Sequence, residues 1–385
     1  MSKNKNNNAD KKMNIAMLGH KVVPSRSGGV ELVLTTMAPL MVEKGHSVTC
    51  YNRTGEKFGE EFIKDVKGNR YKGVRLKRIL SIPVKGISAM TSSFFSALNV
   101  SFGKYDIIHF HAEGPGATLW IPKLFGKRCI ATVHGLDWQR AKWKNGFGSK
   151  YIKFGEKIIA KHADEIIVLS KNVQQYFVDT YGRKTTFIPN GVNKPIVKQA
   201  NMIKKKYGLE GNDYFCSISR LTEEKGIHYL IEAYKKIETD KKLVIAGGTS
   251  DTDDYVVRLK EMAKGNQNII FTGFVEGELL DELYSNAYVY ILPSDLEGMP
   301  LSLLEAMSYG NAVIGSSIPE ITEVVEDKAV IFEKGNVDDL AQKMEQLSDN
   351  PAEVESYCRM SSDFICGKYN WNDVVDRTLS LYQKK

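Results

Sequence analysis

Cysteine is scarce in this 385-residue chain, and the five present make no pattern. Cys50, Cys129, Cys216, Cys358 and Cys366 include no C-x-x-C pair, and an odd number cannot close a complete disulfide framework. Cys50, Cys129 and Cys216 lie in or beside apolar runs, where a free thiol behaves as a small hydrophobe. A zinc site or disulfide scaffold is not expected, and a reducing compartment fits. Long apolar runs are missing too. No stretch approaches the ~18 uninterrupted apolar residues of a membrane-spanning helix, so a soluble or at most surface-attached protein is expected. Residues 1–12 hold no apolar h-region and read as a disordered tail, not a signal peptide. Basic clusters come without a nucleic-acid recognition motif or aromatic platform, which argues against a nucleic-acid partner.

What is present is an ordinary globular composition, 42% hydrophobic and 26% charged, with length for two domains of roughly 150–200 residues. The net charge of +7 hides an asymmetry. Through residue 200 there are 33 Lys and Arg against 14 Asp and Glu; beyond it there are 20 against 32. Much of the excess falls between Lys57 and Lys85. A basic half suits an anionic partner such as phospholipid headgroups or a lipid-linked phosphate, and equally suits a solvated face.

Short apolar runs alternate with amphipathic helical stretches almost from end to end. Strands are predicted at 13–18, 47–51, 74–79, 106–111, 128–133, 165–169 and 185–188, then again at 214–218, 242–246, 268–271, 288–292, 312–315 and 329–332. Near-continuous apolar strands separated by helices argue for parallel sheets covered on both faces. The fold class is therefore α/β, with two Rossmann-like doubly wound domains. Turn chemistry at 191–204 marks the break between a domain at 13–195 and another at 205–368, with a final helix in 369–385.

Ligands of open α/β sheets bind outside the carboxyl ends of the strands, so the loops there carry the candidates. The first strand leads through Ser27-Gly28-Gly29 into a helix, which is either a phosphate cradle or a plain turn. The fourth ends in His109-Phe110-His111, two imidazoles on one face without a third well-spaced ligand; lining a pocket or a structural role fits better than metal. The fifth ends in His134-Gly135, followed by Asp137, Trp138 and Arg140, where an indole could stack on a sugar ring or simply be buried. In the second half, Arg220 and Lys225 flank a turn into a helix and could clamp a diphosphate. A cation at a helix start is unfavourable without an anion nearby. Glu297-Gly298-Met299-Pro300-Leu301-Ser302 and Glu305 form a strand–loop–Pro–helix element. Pro300 sits at the helix's first position, and the two carboxylates are spaced to hold hydroxyls at different points of one ligand.

Taken in order along nearly the whole chain, the Gly-Gly turn, the His after strand five, the Arg…Lys pair and the E-x7-E element resemble the GT-B glycosyltransferases of the retaining family 4. The resemblance implies a nucleotide-sugar donor, UDP-, dTDP- or GDP-linked, on the C-terminal domain and an acceptor on the N-terminal one, with no further cofactor. It implies that Glu305 binds the ribose hydroxyls, Arg220 and Lys225 neutralise the diphosphate, and Glu297 holds the donor sugar. The amides of Gly298, Met299, Leu301 and Ser302 would position sugar and phosphate, and Gly273, Phe274 and Val275 would contact the base. Gly28 or Gly29 would reach the diphosphate on closure, His134 would lie beside sugar and acceptor, and the last helix would cross back to the N-terminal domain. No D-x-D motif occupies a convincing site, since Asp251-Thr252-Asp253-Asp254 reads as a solvated helix start; a metal-independent reaction is expected. His134–Trp143 resembles members acting in bacterial polysaccharide assembly. That implies a glycan or polyprenyl-diphosphate-linked acceptor, with His109, His111, Asp137, Trp138 and Arg140 on the acceptor side. A cytoplasmic location, with peripheral contact between the basic half and an anionic membrane, follows as an expectation. A nucleotide-sugar 2-epimerase shares the architecture and ligands, and an inactive nucleotide-sugar-binding subunit would too.

Overall fold

The computed structural model describes residues 12–84, 86–139, 146–248 and 253–384. The first sheet takes β1 Asn14–Leu18, β2 Ser47–Arg53, β3 Val66–Lys67, β4 Arg70–Tyr71, β5 Val74–Ile79, β6 Ile107–His111, β7 Cys129–Val133, β8 Glu165–Val168 and β9 Thr186–Phe187, in the order 3-4-5-2-1-6-7-8-9. All neighbours are parallel except the small antiparallel hairpin β3–β4–β5 at one edge. The second sheet is wholly parallel: β10 Tyr214–Ile218, β11 Lys242–Ala246, β12 Ile269–Gly273, β13 Val289–Leu292, β14 Ala312–Ser316 and β15 Val330–Phe332, in the order 12-11-10-13-14-15.

The continuous apolar strands have a simple cause. Side chains alternate between faces, and both faces are covered. Ile15 and Met17 of β1 enter one core with Leu34 and Met41 of the helix Gly29–Glu43. Ala16 and Leu18 enter the other, with Ala97, Val100 and Ile159 from helices on the opposite face. In the second sheet Tyr214 and Cys216 separate from Phe215 in the same way.

The chain crosses between the sheets twice, side by side. Val192 donates its amide to the Tyr369 carbonyl at 2.7 Å and pairs with Asn370 in an isolated parallel bridge. Gly191 is required there, because a Cβ would lie 2.6 Å from the Trp371 ring. Beyond the second crossing the helix Trp371–Gln383 packs on the N-terminal side. Trp371, Val375 and Tyr382 join the core of β1 and β2, and Lys44 pairs with Asp376 at 2.6 Å. The preceding helix, Pro351–Lys368, stays with the second sheet. No helix among the described residues is long and apolar enough to cross a membrane. The five cysteines are all free.

Candidate active site

The loops after β7 and β13 meet backbone to backbone. A Cβ on Gly298 would sit 1.6 Å from the His134 carbonyl oxygen, and one on Gly135, at φ +144, would sit 3.0 Å from the Gly298 Cα. Only glycines allow this approach, which sets His134 of one sheet against Glu297 of the other. Lys225 reaches Glu297 at 2.6 Å, and the Ser294 hydroxyl donates to the same carboxylate oxygen at 2.7 Å. Glu297 is only 6% exposed and Lys225 14%, so the pair is largely desolvated and strongly interacting. Gly226, at φ +65, packs under the Pro293 carbonyl, where a Cβ would come to 2.0 Å; this locks the Arg220–Lys225 loop onto the Glu297 loop. Arg220 lies in that loop, half-buried. Gly135, Glu224, Lys225, Glu297 and Gly298 line a small cavity at the junction.

Behind the junction, Pro300 is the N-cap of the helix Leu301–Ser308, one residue earlier than the sequence reading places it. Met299 is buried and accepts the Asn190 amide on its sulfur at 3.0 Å. Ser302 lies 2.9 Å from the Tyr290 hydroxyl, and Leu301 packs into cores of both sheets. A Cβ on Gly29 would lie 3.8 Å from Leu301 Cδ1 across the cleft, and Gly28 is the N-cap of the helix Gly29–Glu43. Gly273, at φ +73, turns the chain after β12, leaving Phe274 55% exposed and Val275 buried.

Glu305 is not open. Its carboxylate is paired with Arg26, from the loop after β1, and accepts the Tyr284 hydroxyl at 3.3 Å. Arg26 also lies 3.8 Å from Glu61. Burial works against the Arg26 charge, but Glu305 and Glu61 more than offset it and hold the guanidinium above its ordinary range. Arg26, Tyr284 and Ser294 escaped the sequence reading. The one signal for Arg26 was its place just before a helix start, where a cation calls for an anion.

The acceptor-side residues divide. His134 Nε2 lies 3.1 Å from His111 Nδ1, and His111 is 1% exposed with no partner for Nε2. Burial, then His109 and His134, push His111 well below the ordinary histidine range, so it is neutral. His109 is removed from the cleft: it is 1% exposed, with its nitrogens spent on Tyr382 at 2.6 Å and Thr132 at 2.7 Å. Burial and His134 lower it to about 3. It anchors the returning C-terminal helix. Asp137 is half-buried, and its amide donates to Glu113 at 3.0 Å. Glu113 is fully buried, and burial followed by Asp137 raises it well above the carboxylate range. Trp138 turns back from the cleft. Its indole donates to buried Glu156 at 3.1 Å, and Lys153 covers one ring face at 3.9 Å, which takes that face from a sugar. Arg140 lies outside the described residues, as do Asp251 and Thr252, whereas Asp253 and Asp254 open the helix Asp253–Met262. Among the described residues no three His, Cys, Asp or Glu side chains converge as metal ligands.

The fold recurs among known proteins. A Glycosyltransferase Family 4 model matches residues 27–194, and a Glycosyl transferases group 1 model matches 199–363. An uncharacterised glycosyltransferase of Methanocaldococcus jannaschii is 25% identical, over 96% of this chain and 98% of its own. The UDP-Gal:alpha-D-GlcNAc-diphosphoundecaprenol alpha-1,3-galactosyltransferase of Escherichia coli is 27% identical, over 72% of this chain and 75% of its own. Anabaena HepE, solved in complex with UDP and glucose, superposes with a TM-score of 0.79 at 16% identity, covering 96% of this chain and 99% of that one. With one model on each sheet and a whole-length GT-B likeness, the chain belongs to the family 4, group 1 glycosyltransferases.

Proposed function

We propose that the protein is a metal-independent, retaining transferase. It moves a hexose or deoxyhexose from a nucleotide-sugar to a hydroxyl of a lipid-linked or growing glycan during cell-surface polysaccharide assembly. The observation that carries this is the Lys225–Glu297 pair held against His134 where the two sheets meet. HepE binding UDP and glucose, and the galactosyltransferase's diphosphoundecaprenol-linked substrate, support the donor and acceptor classes.

In this reading the acceptor oxygen attacks the anomeric carbon on the face the leaving group departs from. The C–O bond to the diphosphate breaks, and the acceptor proton passes to the departing phosphate oxygen. Negative charge grows on the diphosphate, where Arg220 and Lys225 stabilise it, while Glu297 exchanges part of its hold on Lys225 for sugar hydroxyls. Glu305 takes the ribose once Arg26 lets go of it. The N-terminal half meets an anionic membrane where a lipid-linked acceptor resides, on the cytoplasmic face.

The test is nucleotide release from a panel of UDP-, dTDP- and GDP-sugars with EDTA present. One donor should be turned over slowly, and Lys225→Ala should lower the rate at least about 100-fold, as expected for removal of a preorganised charge. Activity abolished by EDTA would remove metal independence, and isomerised sugar without nucleotide release would overturn transfer itself.

A further inference from the structure

Three helices on the outer side of the N-terminal sheet leave an apolar surface uncovered. Phe102 ends the helix Ile87–Ser101 at 71% exposure, and its ring meets Phe125 edge to face at 4.9 Å. Leu124, next in the chain, is 74% exposed. With Trp120, it lines a groove whose opposite wall is Phe154 and Ile158 of the helix Phe147–His162. Large apolar side chains scattered singly are normal on a protein surface, but a run of them across three helices marks an interaction surface.

The same face is cationic. The described residues within 87–162 include eight Lys and Arg against four Asp and Glu. Two of the four acids, Glu113 and Glu156, are buried, and Asp106 is bonded to the Asn14 amide. Lys150, Lys157 and Lys161 are exposed and fall at helical spacing beside Phe154, so ammonium groups and rings share one outer stripe. A second copy of this face would be repelled by its own charge. An anionic leaflet matches it, with rings entering the headgroup boundary and lysines meeting phosphates. In the basic segment 57–84 part of the charge is taken up, since Lys72 pairs with Asp65, Lys77 bonds Asn99, and Arg78 lies over Phe58.

We infer that this three-helix face is the surface by which the protein docks on an anionic bilayer, a deepening that rests on the lipid-linked acceptor proposed above. The experiment is flotation with phosphatidylcholine vesicles, plain or containing about 30% phosphatidylglycerol, at low salt where screening is least. The wild-type protein should float only with the anionic vesicles and detach at high salt. A Phe102→Ser/Leu124→Gln/Phe154→Ser variant and a Lys150→Gln/Lys157→Gln/Lys161→Gln variant should each lose roughly 100-fold in partitioning. Both should keep donor-dependent nucleotide release, which shows that they are folded. Lys67→Gln/Arg70→Gln/Lys72→Gln should float like wild type. Release of that last variant while the patch variants stay bound would overturn the assignment yet leave membrane docking standing. A wild-type protein that ignores anionic vesicles while releasing nucleotide would overturn the docking surface and leave the transferase reading intact. A wild-type dimer that the patch variants dissociate would overturn it too, assigning the face to a second copy.

Discussion

At the residue scale, the cleft is organised by two ion pairs of different kinds. Lys225–Glu297 joins neighbouring loops of one sheet, whereas Arg26–Glu305 ties one sheet to the other and occupies the carboxylate that the family pattern assigns to ribose. The side chains of that second pair are about a fifth exposed (21% and 20%), so its strength is partly screened. With Glu305 as the proposed ribose ligand, donor entry would break it. Arg26→Gln should therefore tighten nucleotide binding several-fold, and Glu305→Gln should weaken it at least about tenfold, roughly 1.4 kcal/mol or more. Each should lower Tm by about 2–4 °C, the shift expected for about 1 kcal/mol in a domain of this size. Calorimetric titration with nucleoside diphosphate and a thermal scan read the two effects; weaker binding in Arg26→Gln would mean that Arg26 holds donor, not Glu305. The sequence made Lys225, Glu297 and Glu305 legible because their loop–helix setting is local. Arg26 was not, because its partner stands 279 positions away and no periodicity encodes a contact across a cleft.

At the element scale, the central strands were legible because they are buried on both faces and read as apolar runs, whereas β5 was legible from its alternation of Val74, Leu76 and Ile79 with exposed or half-buried basic residues. The hairpin β3–β4 was not: two-residue strands carry no period, and charged Lys67 and Arg70 mark it as surface. His109 and Trp138 were misplaced for one shared reason. Sequence gives the strand end but not which neighbour claims the side chain, here the C-terminal helix and Glu156. Backbone contact between the β7 and β13 loops leads to a sharp expectation. Gly298→Ala has nowhere to put its methyl, so the loops must separate, and turnover should fall at least about 100-fold, a loss of about 2.7 kcal/mol. Steady-state kinetics on a variant with unchanged circular dichroism would check this; near wild-type turnover would show that the two sheets need not touch.

At the scale of the whole molecule, the N-terminal half carries a group of neutral buried imidazoles. Burial lowers His20 to about 4 and His109 to about 3, and holds His111 well below its ordinary value. The unfolded chain binds protons at these groups near pH 6.5 while the folded chain does not, so their neutral form supports stability fully above that pH. Stability should then fall as pH drops from 6.5 toward 4, by about 1.4 kcal/mol per unit for each such histidine. Tm against pH reads the slope, and His109→Gln should flatten it; a Tm that stays level from pH 7 to pH 5 would contradict the burial. The same group faces the second sheet through His134, so the interior that sets acid stability also builds one wall of the cleft.

In the proposed reaction this cleft passes a sugar from a nucleotide to a lipid-linked acceptor. The direct test supplies donor labelled in its sugar, together with bacterial polyprenyl-diphosphate glycans, and follows the label into the organic phase. Labelled lipid with the donor's anomeric configuration kept is expected, and none with Glu297→Gln. Label that stays in the aqueous phase, or enters the lipid equally well with Glu297→Gln, would contradict the proposed reaction.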